Sequence, residues 1–216
     1  DKLHDYGVSA DIFEDDSRPT TLKQRFRASG KTLLRVSHLR QHDVNRDLAR
    51  KLADTIKSAL PKTDLLIFSD FNYGCLPQSL VDEISNECKR LNIIMVADSQ
   101  SSSQVGDVSR FKNTVLLTPT EREVRLALGN YEDGLVVLAE ALRKKTNALN
   151  IAITLGAEGV LIHAGHSDQT QWLTDRLPTL NTAPKDTAGA GDSLLVCTAM
   201  DHHCASDMDR SPWLVY

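Results

Sequence analysis

Four short apolar runs, each separated from the next by a helical pattern or a loop, constrain what this chain can fold into. "DLLIFSD" (64–70), "NIIMVAD" (92–98), "NTVLLTP" (113–119) and "LNIAITLG" (149–156) are continuous runs of strand type. After the first, "PQSLVDEISNECKRL" puts Leu80, Val81, Ile84, Cys88 and Leu91 on one helical face. After the third, "EREVRLALG" and "GLVVLAEALRKK" read as two more helices. Strands with no polar face, connected by amphipathic helices, predict an α/β fold with a parallel sheet covered on both sides. Such sheets bind ligands beyond the carboxyl ends of their strands. Asp70, Asp98, Thr118-Pro119-Thr120 and Gly156 occupy that rim.

The section before Asp64 follows another pattern. "TTLKQRFRAS" and "KTLLRVSHL" flank Gly30 with the period of paired strands, which predicts a β-ribbon appended to the main layer. "VNRDLARKLADTIKSAL" reads as a helix, with Asp43 expected as its N-cap and Pro61 just past its end. The opening "DKLHDYGV" reads as the end of a helix entering a turn, not as a natural N-terminus, and no secretory signal opens the chain.

Bulk properties exclude several classes. The 216 residues suffice for one sizeable core, and 41% hydrophobic with 25% charged residues is ordinary for a soluble globular protein. A net charge of −4, with both signs interspersed, gives no electrostatic case for nucleic acid. No apolar run is long enough to span a bilayer. Cys75, Cys88, Cys197 and Cys204 lack metal-ligand spacing, so a reducing cytoplasm is the simpler setting; Cys88 and Cys197 are expected as small core residues. "HHCASD" (202–207) shows no second ligand pair and reads as a helix end.

The stretch "DTAGAGDSLL" (186–195) carries the chemistry. After Asp192, Leu194, Leu195, Thr198 and Ala199 follow helical spacing, so the glycines sit at a helix N-terminus. Unpaired N–H groups and the helix dipole favour an anion there, and Gly189 and Gly191 let backbone amides approach phosphate oxygens. A carboxylate beside an anion hole is unsuited to tight phosphate binding alone. It suits a base that takes a proton from an attacking hydroxyl during phosphoryl transfer.

"DTAGAGD" resembles, at all seven positions, the D-T-x-G-A-G-D signature of the ribokinase-like (PfkB-type) carbohydrate kinases. The resemblance implies a three-layer α/β sandwich with a mostly parallel sheet and a β-ribbon lid. It implies Asp192 as the catalytic base and the amides of Gly189, Ala190 and Gly191 as the anion hole. Asp186 and Thr187 would lie near a monovalent cation, K⁺, in members that use one. "TLGAEG" looks like the T-x-G-x-x-G turn, so Thr154, Gly156 and Gly159 would contact ATP. "TPTEREV" looks like T-P-N-x-x-E, which implies Thr120 near the nucleotide and Glu123 ordering Mg²⁺ through water. "VADSQ" matches a strand ending in D-P-K, with Asp98 as a polar group near the phosphates. The ribbon "RPTTLKQRFRA…LLRV" and "FSDFNYGCL" look most like bacterial heptose 7-phosphate kinases. The lid (20–39) would cover a sugar or sugar phosphate and pair with a second copy in a homodimer, with Lys23, Arg25 and Arg35 contributing to specificity.

The chain departs from that pattern in places. Thr120 stands for Asn, Tyr73 and Gln100 stand where lysines are usual, and Ser37-His38-Leu39 replaces an acidic ribbon end. Residues 1–216 are expected to be one kinase domain without the family's N- and C-terminal parts. Two readings follow: an active sugar kinase, or a catalytically weak member that binds nucleotide or sugar as a regulatory module. A nucleotide-binding protein of another family is disfavoured, because neither a G-x-G-x-x-G nor a P-loop spacing occurs.

Overall fold

The computed structural model describes residues 2–28, 31–100, 106–165, 172–181 and 189–206, with the backbone alone at 31, 32, 35, 172 and 202–206. A short helix α1 (Lys2–Asp5) runs into a turn, as the opening residues suggest. The ribbon follows as β1 (Leu22–Ala28) and β2 (Lys31–His38), antiparallel, with an irregularity between Phe26 and Arg27. Helix α2 (Arg46–Ala59) is capped by Asn45, whose side chain accepts from the Leu48 N–H at 2.8 Å. Asp43 is not the cap: Asn45 is the residue with extended backbone immediately before the helix, where a side-chain oxygen reaches the first free amides.

Strand β3 (Leu65–Asp70), helix α3 (Gln78–Leu91), β4 (Ile94–Ser99), β5 (Leu116–Leu117), helices α4 (Glu121–Leu128) and α5 (Leu135–Thr146), and β6 (Asn150–Thr154) form the predicted parallel unit. Two strands that the sequence reading missed complete the sheet: β7 (Val160–Gly165) and β8 (Trp172–Leu177), each antiparallel to the strand before it. The spatial order equals the chain order, β3 to β8, and five of the six strands run the same way.

That order explains the layering. Right-handed crossovers that always step in one direction deliver every connecting helix to the same face. On that face Phe68, Ala97, Leu117, Ile151 and Ile153 pack with Leu80, Ile84, Val124, Leu138 and Leu142 of α3 to α5. A fully buried Ile153 contributes roughly 2–3 kcal/mol. On the other face Val96, Leu116 and Ala152 meet Leu195 and Ala199 of helix α6 (Ala190–Ser206). Cys88 is buried as expected, and burial pushes its thiol up to about 11. Cys197 is exposed instead, because α6 turns the Leu195–Ala199 stripe to the sheet and leaves position 197 on the other side.

Strand β5 is the shortest. It pairs with β4 only at Val96↔Leu116 and Ala97↔Leu117, then leaves the ladder at Thr118-Pro119. It touches β6 again through an isolated bridge, Thr120↔Thr154. Pro119 has no N–H to donate, so a continuous ladder cannot pass through it.

Candidate active site

The rim beyond β4, β5 and β6 gathers the expected polar residues. Strand alternation turns Asp98 to the α6 side with Val96, and Ser99 to the α3 side with Ala97. Asp98 is buried, and its Oδ1 accepts from the Thr118 hydroxyl at 3.5 Å. Burial, followed by the charges of Glu123 and Asp192, pushes its carboxyl up to about 6. Asp98 on β4 thus lies within electrostatic reach of Glu123 on α4 and of Asp192 on α6. Among the described residues, no three His, Cys, Asp or Glu side chains form a group that could hold a metal ion by themselves.

Glu123 and Thr120 form a capping box. The Thr120 N–H donates to Glu123 Oε2 at 2.8 Å, and the Glu123 N–H donates to Thr120 Oγ1 at 3.3 Å. Threonine and asparagine both cap helices well, so the departure at position 120 preserves this function. The Thr154 hydroxyl donates to the Pro119 carbonyl at 3.4 Å, and its N–H to the same oxygen at 2.8 Å. Thr154 therefore joins β6 to the segment carrying Thr120.

The predicted glycine turn "TLGAEG" connects β6 to β7. Gly156 needs its freedom for φ +61°, since a Cβ there would meet nothing. At Gly159, φ is +98° and a Cβ would stand 1.9 Å from the Leu177 carbonyl oxygen. Close packing of β8 is thus enough to require a glycine at position 159.

At the start of α6, Gly189 has φ +79° and its carbonyl accepts the first helical bond, from Ser193 N–H at 2.9 Å. The amides of Ala190, Gly191 and Asp192 lie in the first turn, where a helix has no acceptor for its own N–H groups. Residues 189–192 are exposed. Asp192 Oδ2 lies over Gly189, 3.8 Å from where a Cβ would be. Asp186 and Thr187 lie outside the described residues.

A second feature sits at the end of β3. Gln41, Asp43, Asp70, Asn72, Gly74, Leu76 and Arg110 line a cavity of about 180 Å³. Asp70 is buried; its Oδ1 accepts from the Asn72 N–H at 2.9 Å, while Oδ2 lies 3.6 Å from Arg110 Nη2 and lacks a hydrogen bond among the described residues. Arg110 donates to the Leu76 carbonyl, and its buried Nε is likewise unpartnered. The Asn72 amide donates to Ser99 Oγ at 2.9 Å and to the Gln100 carbonyl at 2.8 Å, tying this loop to the end of β4. Arg18 binds the ribbon's base to the same loop: it pairs with Asp15, donates to the Tyr73 carbonyl, and donates to the His42 carbonyl at 2.7 Å.

Residues 1–196 match the family model described as pfkB family carbohydrate kinase. The chain belongs to that family. A bifunctional protein HldE of Wolinella succinogenes is 29% identical over 201 residues, covering 91% of this chain and 40% of that protein. HldE of Desulfatibacillum aliphaticivorans is 25% identical over 198 residues, covering 90% and 39%. The pfkB chain therefore spans about two fifths of the length of the curated relatives it matches. Among solved structures, Escherichia coli phosphofructokinase-2 in complex with potassium aligns at TM-score 0.69 with 17% identity, over 97% of this chain and 65% of that one. Arabidopsis thaliana ribokinase complexed with ribose and ATP aligns at 0.58 with 14% identity, over 90% and 59%. These structures share its ribokinase-like fold.

Sequence reading of the pfkB chain missed Arg18, Asn72 and Arg110 as organisers of the rim. Arg18 stands next to Pro19 at the ribbon entry, and that turn is the one local signal for an anchoring side chain. Arg110 sits in a short 3-10 turn (Val108–Arg110) with no periodic pattern to mark it.

Proposed function

We propose that this chain is the kinase part of a protein that transfers the γ-phosphate of ATP to a hydroxyl of a sugar or sugar phosphate, heptose 7-phosphate being the leading candidate. The observation that carries this reading is Asp192 in the first turn of α6, beside the free amides of that turn. The Asp192 carboxylate takes the proton as the acceptor oxygen attacks phosphorus and the bond to the departing ADP breaks. The amides at Gly189 to Gly191 receive the oxygens of the moving phosphoryl group. Thr154, Gly156, Gly159 and Thr120 are the proposed nucleotide neighbours.

A divalent cation fits this rim chemically. Glu123 and Asp192 raise the carboxyl of Asp98 by repulsion, and a hard cation among such oxygens relieves it. Glu123 would hold Mg²⁺ through water, with Asp98 near the phosphates. Bound there, the ion neutralises charge on the transferring phosphates. Asp186 and Thr187 are the proposed neighbours of K⁺.

The ribbon is proposed as the lid and as a homodimer contact. Leu22, Phe26, Leu33 and Leu34 are exposed on it, and a two-stranded ribbon with apolar residues in water favours a partner. No described helix is long and apolar enough to cross a membrane. A cytoplasmic setting remains part of the proposal.

The test is ADP release by the full-length parent protein with Mg²⁺ and a panel of sugars and sugar phosphates. Asp192→Asn is expected to lower kcat by about 10²- to 10⁴-fold while nucleotide binding persists. Turnover unchanged by that substitution would overturn the role of Asp192. A second reading, a weak binding module, is favoured by the neutral residues Tyr73 and Gln100. It predicts nucleotide binding with no ADP release from any acceptor.

A further inference from the structure

We propose that Phe71 and Tyr73 form an aromatic seat that holds the Lys23 ammonium over the sheet rim, where it reads a phosphate carried by the acceptor sugar. This rests on the kinase reading and concerns which class of acceptor the same site takes. Lys23 is the half-buried residue of β1; every other residue of that strand is exposed. Its Nζ lies 4.9 Å from the Phe71 ring centroid and 5.1 Å from that of Tyr73. The two rings stack on each other at 6.2 Å and 23°. Tyr73 is itself buried, so the seat belongs to the packed body rather than to the ribbon.

Among the described residues the Lys23 ammonium has neither a carboxylate partner nor a side-chain hydrogen bond. Lys57 and Lys144 pair with carboxylates, and Lys112 and Lys145 donate to backbone carbonyls; what distinguishes Lys23 is that two ring faces hold its ammonium. A ring face attracts an ammonium without accepting a conventional hydrogen bond from it. The seat therefore fixes the charge and leaves three N–H donors for a ligand.

The surroundings select the ligand. Phe71 and Tyr73 alternate with Asn72 and Gly74, which line the cavity beside Asp70, so seat and cavity share one loop. The cavity offers carboxylates from Asp43 and Asp70 and an unpartnered Arg110 Nε. Such a donor and acceptor set suits hydroxyl groups. Arg18, five residues before Lys23, holds the ribbon's base to the Tyr73 carbonyl and so keeps lysine and rings together. A molecule with hydroxyls at one end and a phosphate at the other matches both halves. A neutral sugar leaves the lysine unmatched.

The experiment is calorimetric binding to the full-length parent protein without nucleotide, alongside ADP release with it. The probes are fructose 6-phosphate and heptose 7-phosphate, each against its unphosphorylated sugar. The phosphorylated probe is expected to bind at least 10-fold tighter. Lys23→Met is expected to weaken it by about 10- to 100-fold and bring the ratio of the two Kd values close to one. Tyr73→Leu should weaken it by about 5-fold, and Tyr73→Phe, which keeps both rings, should restore tight binding. Because Tyr73 is buried, the surface substitution Lys23→Met decides the case if Tyr73→Leu misfolds. The proposal is overturned if Lys23→Met weakens phosphorylated and neutral probes equally, if it changes neither, or if the parent binds no sugar phosphate more tightly than its sugar. Binding of sugar phosphates that depends on Lys23, without ADP release, would remove the kinase reading and leave this one standing.

Discussion

Replacing Asp98 by asparagine is expected to stabilise the protein, and only above the pH at which the aspartate ionises. The Asp98 carboxyl rises from 3.8 to about 6 in the fold, chiefly through burial and then through Glu123 and Asp192. The folded state therefore holds a proton on this group more tightly than the unfolded chain does. The contribution of this one group to stability is greatest below pH 3.8 and is lost as pH rises through about 6. A difference of about two pH units corresponds to about 3 kcal/mol, lost in full above pH 7. Asparagine has the same shape, keeps an oxygen for the Thr118 hydroxyl and carries no charge. Asp98→Asn should thus gain up to about 3 kcal/mol at pH 8, roughly 6–12 °C in Tm for a chain of this size, and almost nothing at pH 4. The assay is thermal unfolding of both proteins at several pH values, with EDTA present to keep cations from the rim. A variant less stable than its parent at pH 8, or a gain independent of pH, would refute the reasoning.

Three further outcomes follow from the packing. Glu140 is held down from 4.5 to about 2, most strongly by its hydrogen bond from Arg143 and further by His163 and Lys144. Its contribution, about 1–2 kcal/mol once solvent screening of the cluster is counted, is present above pH 4.5 and disappears as pH falls to about 2, so Glu140→Gln should flatten the acid limb of a urea-unfolding series. Gly159→Ala should cost about 3 kcal/mol because a Cβ meets the Leu177 carbonyl, whereas Gly156→Ala should cost about 1 kcal/mol from backbone strain alone; denaturant midpoints separate the two. Thr120→Ala should destabilise by about 1 kcal/mol and Thr120→Asn by a few tenths at most, read by the same measurement.

The parallel half of the sheet was legible because its strands are apolar on both faces and its helices carry one clear stripe each. β7 and β8 were not. β7 includes His163, whose polar ring is wholly buried and satisfied by Glu140 and Thr174, contacts that only the tertiary fold supplies. Asp98, Glu123 and Asp192 could be named from motifs, and the mutual repulsion of the first with the other two supports their convergence. The seat of Lys23 was out of reach, since no periodicity links position 23 to positions 71 and 73. Asn45 displaced Asp43 as a cap for a local reason: both residue types cap helices, and the backbone conformation chose between them.

The early exit of β5 from the ladder has a consequence for hydration. A sheet interior is ordinarily its driest and most completely bonded part. Here β4 and β5 part company two residues before β4 ends, and the Thr118 hydroxyl spans the gap to Asp98 Oδ1 at 3.5 Å. Asp98, Ser99 and Thr118 are all buried there, so the polar groups of the fork are enclosed rather than solvated. A carboxyl placed in that dry fork gives up its water on ionising, so the break in the ladder and the raised carboxyl of Asp98 are two sides of one feature.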